Sequence, residues 1–254
     1  MMILLILAAI VIAYFGIGYA LLQATRSIGG FSRLAIFLAV MVGIPYLAWT
    51  IFYPSSTLRA KLIVEIETPE GLKVGSSVQQ LTFKLEPCPL CNSSGPVLRR
   101  YVRGEAVVVD LGSRGVLFAL LRGDSSPDPI TPHIVMTALA KLNKNEEWAT
   151  AEVVRRLRYV SGKAEVPADL MFSFVRFRDI SDPKSVERVD PNNLAASFGP
   201  GAKLVKATIE ITSDTVTTGI EKKLPWLNDE IARYPAWLQL PYESRVAIDG
   251  LRRN

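Results

Sequence analysis

The chain is short of the residues from which most active sites are built. Among 254 residues there is one histidine, His133, and there are two cysteines, Cys88 and Cys91. A structural zinc site takes four ligands, so these three would need a carboxylate to complete one, and the sequence implies no metal and no cofactor. Two cysteines also exclude a disulfide-dense mini-domain. An apolar share of 49% with 21% charged residues excludes a disordered tail. No G-x-x-x-x-G-K-[ST] loop is present, and no G-x-G-x-x-G joins a strand to a helix, which leaves nucleotide binding without support. No serine sits in G-x-S-x-G. No run of Lys and Arg interleaves with aromatic residues, so the sequence gives no case for nucleic acid as a partner.

Charge is missing from one end. The first 53 residues hold only Arg26 and Arg33, and every Asp and Glu lies beyond Tyr53. Met2 to Gln23 and Leu34 to Tyr53 are uncharged, each about 20 residues long, and at roughly 1.5 Å per residue each spans a hydrocarbon layer of roughly 30 Å. The pattern predicts a two-helix transmembrane hairpin over residues 1–53, with spans at about 2–23 and 34–53 and a short connection containing Gly29 and Gly30. A cleaved signal peptide is the alternative for the first segment, but the basic leading region is missing and the apolar run is longer than usual. Tyr46, Trp49, Phe52 and Tyr53 cluster where aromatic rings favour the headgroup level. Pro45 predicts a kink, tolerated where a neighbour satisfies the freed carbonyl. Gly16 and Ala20 have a small-xxx-small spacing for close helix approach.

Arg26 and Arg33 flank the connection, whereas Arg59 and Lys61 beyond the second span are diluted by Glu65 and Glu67. Basic residues are retained in the cytoplasm. The expectation is a two-pass inner or plasma membrane protein with both termini and the large domain on the extracytoplasmic side.

Residues 54–254 carry 27 basic and 24 acidic side chains, an ordinary globular balance. Lys61 to Glu67 alternates with Leu62, Val64 and Ile66 on one face, and after turn residues at 68–71 the pattern resumes over Val74 to Leu85, predicting a hairpin. Gly104 to Leu121 reads as a second hairpin around the glycines at 112 and 115, apolar enough to be central and covered on both faces. Thr131 and Pro132 read as N-cap and first residue of a helix. A second helix is expected over Glu146 to Val160, with Trp148, Ala151, Val154 and Leu157 on one face, and a short third between Asp190 and Gly199. Strands return at Leu170 to Arg178 and Lys203 to Thr212, the latter with Val205, Ala207, Ile209 and Ile211 facing the core. This order predicts an α+β domain with a largely antiparallel sheet. The segments Leu224 to Leu227 and Pro235 to Leu238 set tryptophan beside proline, for anchoring to the core or touching a bilayer.

Cys88 and Cys91 form a C-x-x-C. A redox dithiol places its first cysteine at a helix N-terminus, but Asn92 to Pro96 reads as loop. The pair is therefore a local disulfide or inert thiols, with a partner-dependent metal or redox contact as the alternative. A disulfide agrees with an extracytoplasmic location. His133 is the one imidazole available as a base. Ser125 and Ser126 lie beside Asp124 and Asp128, yet closeness in sequence is not a triad, and Asp179 with Asp182 is a carboxylate pair with no known placement.

The stretches Thr68 to Ser77, Gly104 to Asp110 and Thr217 to Leu227 resemble a group of uncharacterised bacterial proteins with a short N-terminal membrane anchor and one exported-looking domain. The resemblance covers most of residues 58–227 and implies that this part stands as a unit. It carries over no catalytic residue. The chain departs from that pattern in having two apolar segments and in inserting the cysteine pair.

The sequence thus leads to the expectation of a membrane-anchored bacterial envelope protein that acts as a binding or scaffold module, with the lipid bilayer and an envelope protein as partners. The alternatives are an envelope hydrolase using His133 or a carboxylate such as Asp110, Asp128 or Asp179, and a thiol-exchange or metal-contact protein using Cys88 and Cys91.

Overall fold

The computed structural model describes residues 2–27, 29–88, 91, 95–123, 128–143, 147–227 and 240–253, with side chains from Ala13 onward, that of Glu243 excepted. The chain divides into two units, Met1–Pro54 and Ser55–Asn254.

The first unit consists of helix α1, Met2–Ala24, and helix α2, Gly30–Phe52. Of the two expected spans, only α2 has both the length and the hydropathy of a membrane crossing among the described residues. Its one irregularity is a π turn at Ala39–Gly43, immediately before Pro45. Proline has no N–H to give the carbonyl four residues back and its ring crowds that carbonyl. Here that group belongs to Met41, and it accepts a hydrogen bond from the Tyr14 hydroxyl of α1. The wider π turn relieves the crowding. The close approach of the helices lies at Gly18 rather than at the Gly16 and Ala20 pair. A Cβ on Gly18 would sit 2.9 Å from Met41 Sδ and 3.3 Å from Phe37, whereas one on Gly16 would meet nothing within 4 Å.

The second unit begins with strands β1, Ser55–Thr68, and β2, Gly71–Glu86, paired antiparallel from Ser55 opposite Lys84 to Thr68 opposite Gly71. Strands β3, Val97–Glu105, β4, Val107–Asp110, and β5, Val116–Gly123, follow. Helix α3, residues 131–139, is one α turn continued as a π turn, and α4 is Ala151–Leu157. Then come β6, Lys163–Glu165; β7, Phe172–Phe177; β8, Val186–Val189; α5, Leu194–Phe198; and β9, Lys203–Ile211. Helix α6, Tyr242–Leu251, and β10, Arg252–Arg253, close the described chain.

The strands form two antiparallel sheets, ordered β10-β3-β2-β1-β9-β6 and β4-β5-β7-β8. Leu62, Val64, Ile66, Leu81 and Phe83 of the larger sheet face Val109, Leu117, Phe174 and Val189 of the smaller, and Ile134, Met136 and Leu157 of α3 and α4 join the same cluster. A second apolar cluster lies on the other face of the smaller sheet, where Phe118, Leu120, Val175 and Phe177 meet Leu224, Trp226, Leu227 and the inner side of α6. The result is an α+β unit of two packed sheets with a helix over the smaller one.

Four sequence expectations are corrected by tertiary context. Gly104 to Asp110 is not one strand: Gly104 and Glu105 end β3 in the larger sheet, and β4 starts the smaller one after Ala106. The crossing is tight, since a Cβ on Gly75 would lie 2.3 Å from the Val108 carbonyl oxygen. Consequently β4 is an edge strand, and β5 alone of the expected hairpin is central. Val205 does not face the core. Glu65 pairs with Lys206 and the next residue, Ile66, with Leu204, so Val205 is the extra residue of a β-bulge and is 46% exposed. Thr131 does not cap α3, because its hydroxyl donates instead to Gln79 Oε1 at 2.8 Å. The second helix is shorter than expected, starting at Ala151 because Thr150 accepts from Val153 N at 3.2 Å and caps it. Trp226 is an anchor to the core, its indole donating to Ile180 O at 2.8 Å. Residues 235–238 lie outside the described residues.

Helix α6 seats on β5 through Gly250, where a Cβ would come within 3.0 Å of Leu120 Cβ and 3.2 Å of Arg122 Cγ. Gly250→Val is expected to cost about 1–3 kcal/mol of overpacking and to lower Tm by roughly 5 °C. An unchanged melting curve for the full chain in detergent would mean that α6 does not seat there.

Candidate functional site

Among the described residues, Asp110, Asp179 and the cysteine pair lie at separate connections, and of the other candidates only Asp128 acts on His133, through its charge. Asp110 ends β4, where its carboxylate accepts from Gly112 N at 3.0 Å and from Lys223 Nζ at 2.8 Å; these two bonds, that from Lys223 first, hold its pKa below the ordinary range. Asp179 and Asp182 occupy the turn between β7 and β8. The first accepts from Ser181 and the second from Lys184 N at 2.8 Å, so both organise the turn rather than face each other across a substrate. Cys88 and Cys91 are joined as a disulfide in the connection from β2 to β3, their Cα atoms 5.3 Å apart. Ser125, Ser126 and Asp124 lie outside the described residues.

His133 is held in a setting that suits an acceptor better than a base. Its ring is half-buried, 6.0 Å from the Trp148 ring, and its Nε2 meets the Arg100 guanidinium of β3. Because Arg100 can only donate, Nε2 accepts and the proton sits on Nδ1, a tautomer assigned from this geometry. Burial first, and then the Arg100 charge, push the imidazole pKa down, with Asp128 opposing in part. Among the described residues, no group of three or more His, Cys, Asp or Glu side chains is placed to hold a metal ion.

The feature with the shape of a binding site is elsewhere, on the face of the smaller sheet that carries α6. A cavity of about 360 Å³ opens there between β5, β7 and β8 and the N-terminal half of the helix. Strand alternation builds its floor. Leu120 and Arg122 lie on one parity of β5, Ser173 and Val175 on one parity of β7, and Val186 and Arg188 on one parity of β8, with Val175 directly opposite Arg188. Tyr242, Val246 and Ala247 of α6 form the wall. Apolar groups therefore fill most of the lining, and two guanidinium groups, a hydroxyl and a phenol supply its polar part. Among the described side chains, no carboxylate lines the cavity. Arg122 Nε is buried and has no hydrogen-bond partner among the described residues.

Sequence reasoning missed this cleft, and a signal for it exists. Arg122 shares the parity of Phe118 and Leu120, which are buried, and Arg188 shares that of Val186. A cation on the apolar face of a strand marks a place where something polar has to be met. Neither a family model, nor a curated protein, nor a solved structure matches the chain.

Proposed function

We propose that the chain is a two-pass membrane protein of the bacterial envelope whose α+β unit works outside the cytoplasm as a ligand-binding or scaffold module. The observation that carries this reading is α2, a 23-residue apolar helix none of whose most hydrophobic window is buried. Phe31 is 88% exposed and Phe52 67%, with Leu34, Leu47 and Ile51 also open. A contiguous apolar surface of that kind is unstable in water and stable in lipid. The bond from Tyr14 to the Met41 carbonyl supports α1 as the second span, because it supplies the donor that Pro45 withholds where lipid cannot. The disulfide between Cys88 and Cys91 supports placement in an oxidising compartment. A binding role is favoured over hydrolysis because His133 has its acceptor nitrogen occupied and Asp110, Asp179 and Asp182 are committed to turns and an ion pair, whereas the cleft beneath α6 has room and a buried Arg122 Nε with no hydrogen-bond partner among the described residues.

The test is a pair of fusions after Asn254. Alkaline phosphatase, active only outside the cytoplasm, is expected to be active, and a fluorescent protein that matures in the cytoplasm is expected to stay dark. The reverse pattern would overturn the extracytoplasmic placement.

A further inference from the structure

We propose that the open margin of β3 takes up an extended acidic peptide as an added strand, with two carboxylates spaced to meet Arg99 and Arg103. This goes beyond the reading above and uses a surface that is not part of the cleft. The backbone comes first. Strand β3 is paired with β2 along 97–103, whereas on its other side β10 pairs only with Gly104 and Glu105. Ala106 N donates to Leu251 O at 2.8 Å on that second side, and the Glu105 carbonyl accepts from Ser77 on the β2 side. Main-chain groups alternate along a strand, so those of Leu98, Arg100 and Val102 point away from β2. Among the described residues they have no main-chain partner there. Leu98 and Arg100 are partly exposed. A row of N–H and C=O groups is matched by another peptide backbone, since a phosphate chain offers acceptors alone.

Charge selects the peptide. Arg99, Tyr101 and Arg103 alternate on the outer face of β3 and are exposed, while Leu98 and Val102 face the core and Arg100 meets His133. Lys84 stands opposite Arg99 on β2, and both lean on a single carboxylate, Glu86, at 2.9 and 3.7 Å. Arg103 has no ion pair among the described residues. The row therefore carries an excess of cations. A strand added beside β3 sets its alternate side chains opposite Arg99, Tyr101 and Arg103, a pattern that suits acid, aromatic ring and acid. A second copy of β3 is the wrong occupant. In an antiparallel pair centred on Tyr101, Arg99 of one copy faces Arg103 of the other, and like charges directly opposite are destabilising. The same cations thus guard the margin against self-pairing.

The experiment uses the full chain in phosphatidylcholine nanodiscs and the end-blocked peptide TEVYVET, followed by calorimetry and by hydrogen–deuterium exchange. In the free protein the amides of Leu98 and Arg100 are expected to exchange fast, and saturating peptide is expected to slow them about tenfold or more. TKVYVKT, with the charges reversed, and TEVPVET, whose proline has no N–H for the ladder, are each expected to bind about tenfold more weakly or worse. Affinity for TEVYVET is expected to fall as salt rises. Making Arg99→Glu and Arg103→Glu together is expected to turn TKVYVKT into the better ligand with the melting temperature kept, since both side chains are exposed. Should that variant not fold, the three peptides on the wild type still decide the matter. Slow exchange at Leu98 and Arg100 before peptide is added would mean that the chain itself or a second copy already covers the margin, and would overturn the proposal. So would a titration without saturation, equal affinity for the three peptides, or protection by octathymidylate equal to that by TEVYVET. Binding at this margin does not depend on which side of the membrane the unit lies, so this test and the fusion assay fail separately.

Discussion

Phe118→Ala is expected to lower the unfolding free energy of the α+β unit by about 3–5 kcal/mol, the usual cost of deleting a fully enclosed phenyl ring. Phe118 is completely buried on β5, and its ring stacks edge-on against Phe177 of β7 at 5.6 Å, which in turn meets Trp226 at 5.2 Å. This aromatic row attaches residues 220–227 and α6 to the smaller sheet. Edge-to-face pairs add about 0.5–1.5 kcal/mol beyond area burial, so the loss lies toward the upper end. Marginal stability makes such a loss a large part of the total. In a unit of this size it corresponds to a fall in Tm of roughly 10 °C, to be read by thermal denaturation of the full chain in detergent. A fall of less than about 2 °C would mean that the row does not hold the outer layer.

The second large effect is expected at Glu105, which is 3% exposed at the end of β3. Its carboxylate accepts from Gly219 N at 3.1 Å and Ile220 N at 2.9 Å, closing the short helical turn that follows. Its main-chain carbonyl accepts from Ser77 Oγ at 2.6 Å, so one residue ties β2, β3 and the 217–222 segment together. Glu105→Ala leaves two backbone donors without partners and is expected to cost about 2–4 kcal/mol. Glu105→Gln keeps one oxygen for these donors and is expected to cost less than half as much. Burial raises the carboxyl pKa, and the two N–H bonds offset this only in part. The folded pKa therefore lies above the unfolded one. The stability this residue contributes is full below the unfolded pKa and is lost as pH rises through the folded pKa. Measured against Glu105→Gln, the wild type should gain stability as pH is lowered through that range. A difference independent of pH would show that the buried carboxyl is not the titrating group.

What could be read from the sequence depended on how local its cause is. The absence of charge over Leu34 to Phe52 needs no partner to be understood, and the helix that contains it, Gly30–Phe52, is there. Alternation at Leu62, Val64 and Ile66 likewise marks its buried face directly, and the first hairpin forms around its turn residues. Features set by a second strand were not legible. The change of sheet at Ala106 depends on where β2 passes at Gly75, and the outward turn of Val205 depends on a bulge against β1, since a one-residue shift in register inverts a face. The cleft was hidden for the same reason: Arg122, Ser173 and Arg188 belong to three strands and are joined only by pairing. The cysteine pair attracted interest through its spacing, yet the sequence from 87 to 96 holds no other His, Cys, Asp or Glu, and the buried guanidinium nitrogen without a hydrogen-bond partner among the described residues, Arg122 Nε, lies beneath α6.

The most direct measurement is extraction of membranes from cells expressing the full chain with alkaline carbonate. The account predicts that the protein stays with the lipid pellet and is released only by detergent, as the proposed crossing of the bilayer by α1 and α2 requires. Recovery of the full-length protein in the carbonate supernatant would contradict it.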